Sequence, residues 1–174
     1  QDGAKIILVT AMYNHYKRLV INKNSDNKIE KTNIMMIGPS GSGKTFLSKK
    51  LAEIMDVPIV ISDATSLTQT GYIGSDVESM LTQLYIESGK DIKKTERGII
   101  FIDEVDKIAK KPEKNGKDST GEGVQQNLLK ILEGSKVQVP PNFVKNPHDQ
   151  TLIEIDTTNI LFIMSGVFDG LIDI

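Results

Sequence analysis

Cysteine is absent from this 174-residue chain, and no apolar run approaches the length needed to cross a membrane. The first absence excludes disulfide bonds and cysteine-ligated zinc within the sequence and is compatible with a reducing cytoplasm, the predicted location. The first residues also lack the charged-then-apolar pattern of a secretory signal, so we predict no membrane association. The 21 basic and 23 acidic residues nearly balance, and no overall field favours DNA or RNA as a partner.

The most specific motif is a glycine-rich loop between an apolar run at residues 33–37 and a helix-like stretch at residues 45–55. Residues 38–45 match the phosphate-loop pattern G-x-x-x-x-G-K-[ST]. Glycines let backbone N–H groups turn inward around a phosphate chain, and the helix that follows directs its positive end at the same anion. Lys44 can then reach the β- and γ-phosphate oxygens, and the Thr45 hydroxyl is placed to bind the Mg²⁺ that accompanies ATP.

A second site element is a run of large apolar residues, 99–102, that ends in the adjacent carboxylates of Asp103 and Glu104. A continuous apolar run favours a central parallel strand, and ligands of parallel sheets gather at the carboxyl ends of the strands. We therefore expect Asp103 to hold Mg²⁺ near the phosphate loop and Glu104 to activate a water for attack on the γ-phosphate. The predicted catalytic residues are Glu104 and Lys44, the Mg²⁺ ligands are Thr45 and Asp103, and the ATP-binding residues are Gly38, Pro39, Ser40, Gly41, Ser42, Gly43, Lys44, Thr45, Phe46 and Asp103.

Periodicity predicts the remaining elements. Apolar residues at helical spacing, among them Ile7, Leu8, Met12 and Val20, predict an amphipathic helix over residues 4–20, with His15 on its solvated surface. The fold class is α/β, a three-layer phosphate-loop domain whose mostly parallel sheet is flanked by helices. The other predictions are strands at 57–61 and 159–164, helices at about 75–88 and 121–134, a hairpin from 136–139 and 152–155, a polar turn at 62–67 and surface connections at 22–31 and 107–120.

Tyr72 and Ile73 stand between two glycines just before the helix predicted at about residue 75. Two interpretations of this pair stay open on spacing alone. Large apolar side chains are ordinarily buried anchors, which slightly favours a core position. Flanking glycines, however, are typical of a mobile loop that presents an aromatic side chain.

Seven segments spread along the chain carry a family resemblance. They are residues 13–18 (Tyr-Asn-His-Tyr-Lys-Arg), the phosphate loop, 63–65 (Asp-Ala-Thr), 71–74 (Gly-Tyr-Ile-Gly), 102–108 (Ile-Asp-Glu-Val-Asp-Lys-Ile), 121–126 (Gly-Glu-Gly-Val-Gln-Gln) and 160–163 (Ile-Leu-Phe-Ile). Together they resemble ClpX-type AAA+ ATPases, the unfoldase subunits of bacterial ATP-dependent proteases, over essentially the whole chain. The related unfoldase HslU shares several of these segments, and residues 121–126 favour ClpX.

The resemblance implies a homo-hexameric ring that grips unfolded or tagged proteins in a central pore and pulls them by ATP hydrolysis towards a ClpP-like peptidase. Tyr72 and Ile73 would then form the substrate-gripping first pore loop, and the lysine-rich stretch before Gly121 the second. Ser165 falls about where a polar residue senses the γ-phosphate. An aromatic side chain with a small apolar neighbour suits such a grip, because apolar contact requires no particular hydrogen-bond pattern.

The same resemblance implies that residues 1–174 are the large AAA+ subdomain alone. We expect the chain to end before the arginine finger, the second sensor, the small helical subdomain and the peptidase-docking loop, and to include no N-terminal zinc domain. The isolated segment is therefore expected to be weakly active or inactive. Residues 145–148 read Lys-Asn-Pro-His where the family carries an Arg-Lys-His loop, so only part of that basic character is present and His148 is expected to be solvated.

Two other functions share a phosphate loop. A small-molecule or nucleoside kinase would need an arginine-rich lid, but arginine occurs only at Arg18 and Arg97. A nucleotide-gated scaffold would change partners without turnover.

Overall fold

The structure, a computed structural model, describes residues 1–67, 78–108, 120–143 and 151–171. Short 3₁₀ turns at Ala64–Ser66, Val105–Ile108 and Thr157–Asn159 connect some of its elements. The helices and strands in these ranges are, in chain order, α1 (Asp2–Lys23), β1 (Ile34–Ile37), α2 (Lys44–Met55), β2 (Ile59–Asp63), α3 (Ser79–Glu87), α4 (Ile92–Thr95), β3 (Ile99–Asp103), α5 (Thr120–Glu133), β4 (Lys136–Val139), β5 (Ile153–Asp156) and β6 (Leu161–Gly166).

Four strands form a parallel sheet in the order β1-β6-β3-β2. The two central strands carry the apolar runs, and residues 99–102 and 161–163 are fully buried. Each buried isoleucine or phenylalanine side chain contributes about 1.5–3 kcal/mol through the hydrophobic effect. Because β1, β3 and β6 run in the same direction, the residues that follow them meet at one edge of the sheet.

Helices cover both faces of the sheet, which confirms the predicted three-layer α/β class. On one face α1 and α2 pack Leu8, Met12 and Ala52 against Phe101 and Ile163. The other face is covered by α3, α5 and the β4–β5 hairpin, whose buried side chains include Leu81, Leu84, Leu128, Val139 and Ile155. Within the described ranges, no helix combines the length and the apolar character that a bilayer crossing requires.

Most predicted elements are confirmed, with shifted ends. The predicted hairpin forms as antiparallel β4 and β5, and Gly134, at φ 104°, ends α5 as expected. The predicted turn at 62–67 is partly wrong, because β2 continues to Asp63. The Asp63 carboxylate then accepts a hydrogen bond from Thr65 N–H at 2.8 Å and starts the 3₁₀ turn.

Two predictions about shorter helices differ from the structure. α4 was not predicted, since a four-residue helix carries little periodicity; the Asp91 side chain caps it by accepting from Lys94 N–H at 3.1 Å. The expected start of the preceding helix near residue 75 lies outside the described residues, which resume at Glu78, the N-cap of α3. The polar connection at 22–31 is mostly exposed, as predicted.

The first helix forms as predicted, but it is not amphipathic, because large apolar residues are exposed on it and two polar residues are buried. Its buried residues are Leu8, Met12, His15 and Arg18, spaced by four, three and three positions along one face. Ile7 and Val20, two of the apolar residues that indicated the helix, are 71% and 65% exposed. The prediction that His15 is solvated is therefore wrong, because its side chain is 2% exposed. It lies on the face that Leu8 and Met12 already turn towards the sheet.

The His15 ring is held as a neutral imidazole. Its Nε2 lies 3.0 Å from the backbone oxygen of Asn159, which can only accept, so Nε2 carries the proton. Arg18 donates to the Asn159 side-chain oxygen at 3.2 Å, and the Lys31 ammonium lies 4.5 Å from the centre of the Phe162 ring. Burial lowers the pKa of His15 to about 4; the bond to Asn159 opposes this shift, and the charges of Arg18 and Lys31 add to it.

This burial predicts acid sensitivity. The unfolded chain protonates His15 near pH 6.5 and the folded chain near pH 4, so its stability contribution is complete above pH 6.5. We expect about 3 kcal/mol of unfolding free energy to be lost as the pH falls from 6.5 to 4. His15→Gln retains a donor for Asn159 and cannot become charged, so it should flatten this part of the pH profile in urea titrations. His148→Gln, at the other histidine, is the control, and an unchanged profile for His15→Gln would contradict the assignment.

Candidate functional site

The glycine-rich loop joins β1 to α2 through two left-handed residues. Gly41 and Gly43 have φ values of 74° and 87°, a region that side chains disfavour, and Gly43 is the N-cap of α2. The first-turn N–H groups of α2 therefore face the loop with the positive end of the helix dipole. Gly38 N–H donates to Gly166 O at 3.2 Å, which fastens the start of the loop to the end of β6.

The Lys44 side chain folds back over the loop. Its Nζ donates to Gly38 O at 2.7 Å and to Pro39 O at 3.0 Å. Both acceptors are backbone carbonyls, so these contacts place a positive charge at the loop without neutralising it.

A side-chain hydrogen bond joins the loop segment to the end of β3. Thr45 Oγ1 donates to Asp103 Oδ2 at 3.0 Å, and Asp103 Oδ1 accepts from Glu104 N–H at 3.0 Å. These residues are 58 positions apart in the chain. The parallel sheet brings them together at the carboxyl ends of its strands.

Glu104 adopts a backbone conformation that the sequence did not indicate. Its φ is 55°, in the left-handed region, which costs an ordinary side chain about 1–2 kcal/mol. The bond from its N–H to Asp103 and a bond from Lys107 N–H to its carbonyl at 2.9 Å maintain this turn. The turn leaves the Glu104 side chain exposed at the end of β3.

Two cavities adjoin the loop and share Ser42, Gly43 and Lys44. The polar cavity has a volume of about 310 Å³ and is lined by residues 40–46, Asp103, Glu104, Asp106, Lys107, Gly166 and Val167. The apolar cavity has a volume of about 370 Å³ and is lined by Gln1, Ala4, Ile7, Leu8, Ala11, residues 34–39, Ser42, Gly43, Lys44 and Leu47. The loop therefore lies between a polar space and an apolar one.

Four lining residues of the polar cavity were not predicted: Asp106, Lys107, Gly166 and Val167. Asp106 was detectable as a third acid close behind Asp103 and Glu104. Burial opposes ionisation of the Asp106 carboxyl, but the Lys107 ammonium, 3.3 Å away, and backbone donors outweigh it and bring its pKa below the usual value. Gly166 and Val167 had no local signal, since their place depends on which strands are neighbours.

Not all of the predicted site residues line the polar cavity. Gly38 and Pro39 line the apolar cavity, not the polar one. Ser165 pairs with Met36 inside the sheet and is fully buried, and its Oγ has no hydrogen-bond partner among the described residues. It does not line the polar cavity, so its role as a sensor stays a prediction. Tyr72, Ile73, the lysine-rich stretch at 109–119 and the segment 145–148 lie outside the described residues.

Comparison of the sequence with known protein families identifies the domain family. A family model described as AAA domain (Cdc48 subfamily) matches residues 29–173, well over half of the chain. The chain belongs to the AAA domain family. In this AAA domain the match includes the glycine-rich loop and the acidic end of β3, the two segments that Thr45 and Asp103 join.

Its relatives include several ClpX proteins. The AAA domain is 51% identical over 174 residues to the ATP-dependent Clp protease ATP-binding subunit ClpX of Porphyromonas gingivalis, covering 98% of this chain and 42% of that protein. The protein of the same name in Treponema denticola is 52% identical over 175 residues, with coverages of 98% and 42%. ClpX 2 of Wolinella succinogenes is 49% identical over 173 residues, with coverages of 98% and 44%.

The chain thus spans less than half the length of each of these relatives. The resemblance to ClpX-type AAA+ ATPases that its motifs indicated is confirmed.

Proposed function

We propose that this AAA domain binds Mg-ATP and hydrolyses it, and that hydrolysis in the intact protein powers the unfolding of protein substrates and their delivery to a ClpP-like peptidase. The observation that carries the proposal is the 3.0 Å bond between Thr45 and Asp103, which joins the phosphate loop and the acidic strand end at one cavity. The names of these relatives, ATP-binding subunits of a Clp protease, support it.

In this proposal the two cavities receive different parts of ATP. The triphosphate occupies the polar cavity, against the loop N–H groups and the Lys44 ammonium. The base lies in the neighbouring apolar cavity, where Ile7, Leu8 and Leu47 offer apolar contact.

The donor set at the polar cavity fits Mg²⁺. The Thr45 hydroxyl and the Asp103 carboxylate are oxygen donors, which Mg²⁺ prefers. Among the described residues, no group of three His, Cys, Asp or Glu side chains could hold a metal ion by itself. This agrees with an ion that takes its other ligands from phosphate oxygens and water. Bound there, Mg²⁺ would supply charge neutralisation to the phosphates.

Glu104 is the proposed general base. Its exposed carboxylate takes a proton from a water whose oxygen bonds to the γ-phosphorus. The bond from that phosphorus to the β–γ bridging oxygen breaks, and ADP and phosphate leave. Lys44 stabilises the charge on the phosphate oxygens during this step.

On the same grounds we propose that the chain forms a large AAA+ subdomain of a cytoplasmic homo-hexamer. Tyr72 and Ile73 would grip the substrate, and Ser165 would respond to the γ-phosphate. The kinase alternative is not favoured, because Arg18 is buried against Thr158 and Asn159 and Arg97 lines a different cavity. Neither arginine lines the polar cavity.

An ATPase assay of the intact protein, with and without a permanently unfolded protein, tests this function. We expect phosphate release that the unfolded protein stimulates, together with a hexamer-sized species in size-exclusion chromatography with ATP. Phosphate transfer to a small metabolite by a monomer would instead identify a kinase. Nucleotide binding without turnover would identify a scaffold.

A further inference from the structure

A single peptide unit lies between the acidic segment after β3 and the phosphate loop. Its carbonyl, Gly166 C=O, accepts from Gly38 N–H at 3.2 Å. Its amide, Val167 N–H, donates to Asp106 Oδ1 at 3.3 Å. Because a peptide unit is planar and trans, its C=O and N–H point in opposite directions and turn together. The orientation that Asp106 imposes on the amide is therefore also imposed on the carbonyl that holds Gly38.

The close approach of Asp106 depends on glycine at position 166. A Cβ at this position would lie 2.5 Å from Asp106 Oδ1 and 2.6 Å from a ring carbon of Phe168. Real Cβ atoms essentially never come so close to another heavy atom, so any larger residue would displace the carboxylate, the ring or the strand end. Phe168 has a φ of 55°, so the turn after β6 is constrained as the turn at Glu104 is.

The contacts continue to the residue that carries the loop's positive charge. Gly38 O accepts from Lys44 Nζ at 2.7 Å, so Gly38 is held on one side by the end of β6 and on the other by Lys44. The Asp106 side chain is 11% exposed, which restricts its movement. Lys107, its ion-pair partner, is 50% exposed, and solvent screens that pair. The backbone bond is thus the specific contact that Asp106 makes.

We propose that Asp106 is a positioning residue of the ATP site: its carboxylate orients the Gly166–Val167 peptide and, through it, Gly38 and Lys44. The effect on catalysis rests on the proposed function, whereas the structural link does not. Asp106 need not touch the nucleotide for this role. A small misplacement of a binding group is enough to reduce turnover.

Amide hydrogen exchange of the intact protein without nucleotide tests the link. In Asp106→Ala we expect Val167 N–H and Gly38 N–H both to exchange ~10-fold faster, because Val167 N–H loses its acceptor and Gly38 N–H then bonds to a carbonyl that is no longer held in place. Asp106→Asn keeps an acceptor oxygen and should restore protection at both amides. Asp91→Ala is the matched control, since it removes an aspartate that also accepts from a backbone N–H, at 3.1 Å, but lies away from the cavity.

Kinetics of the same variants test the consequence for ATP. At a temperature where all variants are folded, Asp106→Ala should lower kcat ~10-fold, and Asp106→Asn should recover most of it. Gly166→Ala should also lower kcat. In the double variant with Asp106→Ala, the two falls in kcat should combine to less than their product, because both changes act on one contact. A purely stabilising role would lower the melting temperature without changing kcat of the folded protein.

Unchanged exchange at Gly38 in Asp106→Ala would overturn the inference, whether or not the protein hydrolyses ATP. Faster exchange at Gly38 in a protein that neither binds nor hydrolyses ATP would leave the link standing and reject the proposed function. Faster exchange with an unchanged kcat would reject the positioning role.

Discussion

Lys44→Ala is expected to abolish measurable ATP binding by the intact protein. The Lys44 ammonium lies at the loop, where it donates to Gly38 O and Pro39 O. Both acceptors are uncharged, so they do not neutralise its charge. On a triphosphate it would make charge-assisted hydrogen bonds, each worth about 1.5–3 kcal/mol. Loss of two such bonds corresponds to a fall in affinity of roughly 100-fold or more. Titration calorimetry with ATP and Mg²⁺ measures this directly.

Lys49→Ala is the control for Lys44→Ala. Lys49 is exposed on the same helix, α2, so its removal changes the net charge equally without touching either cavity. We expect it to bind ATP as the parent does. Equal ATP affinity in Lys44→Ala and the parent would contradict the assignment of the phosphate site.

Glu104→Gln is expected to retain ATP binding and to stop hydrolysis. Glutamine has the shape of glutamate but cannot take a proton from water, and loss of a general base typically costs ~10²–10⁴-fold in rate. The substitution keeps a non-glycine side chain at φ 55°, so the backbone strain at residue 104 should not change. The hydrogen bond from the N–H of residue 104 to Asp103 should also remain. Single-turnover kinetics with pre-bound ATP separates the chemical step from binding.

Glu87→Gln is the matched control for Glu104→Gln, because Glu87 is exposed at the end of α3 and lines neither cavity. Its turnover should equal that of the parent. Hydrolysis by Glu104→Gln within a few-fold of the parent would show that another group activates the water. Asp103 would then be the first residue to test.

The central strands were predictable because the property that forms them is local. Residues 99–102 and 160–163 are continuous apolar runs, and such runs favour strands buried on both faces. The site segments were predictable for a related reason. A phosphate loop and a strand that ends in Asp-Glu carry their chemistry in consecutive residues, and parallel strands bring their carboxyl ends together. The bond between Thr45 and Asp103 agrees with this expectation.

His15 shows where prediction from neighbouring residues in the sequence fails. Its neighbours, Tyr16, Lys17 and Arg18, are polar or charged, which indicated a solvated surface. Burial on α1 is decided by the face that Leu8 and Met12 turn to the sheet, and by an acceptor at Asn159, 144 positions away. No window around residue 15 contains that acceptor.

The residues proposed for the site could be named from short segments of the sequence alone: a glycine-rich loop of the phosphate-binding pattern, a lysine, a threonine hydroxyl and two carboxylates. The contacts that surround these residues in the folded protein could not be predicted from short segments. Gly166 and Val167 border the polar cavity because β6 lies between β1 and β3, and Asp106 meets their peptide for the same reason. Strand order depends on side-chain packing between segments many residues apart, so no single segment carries the information.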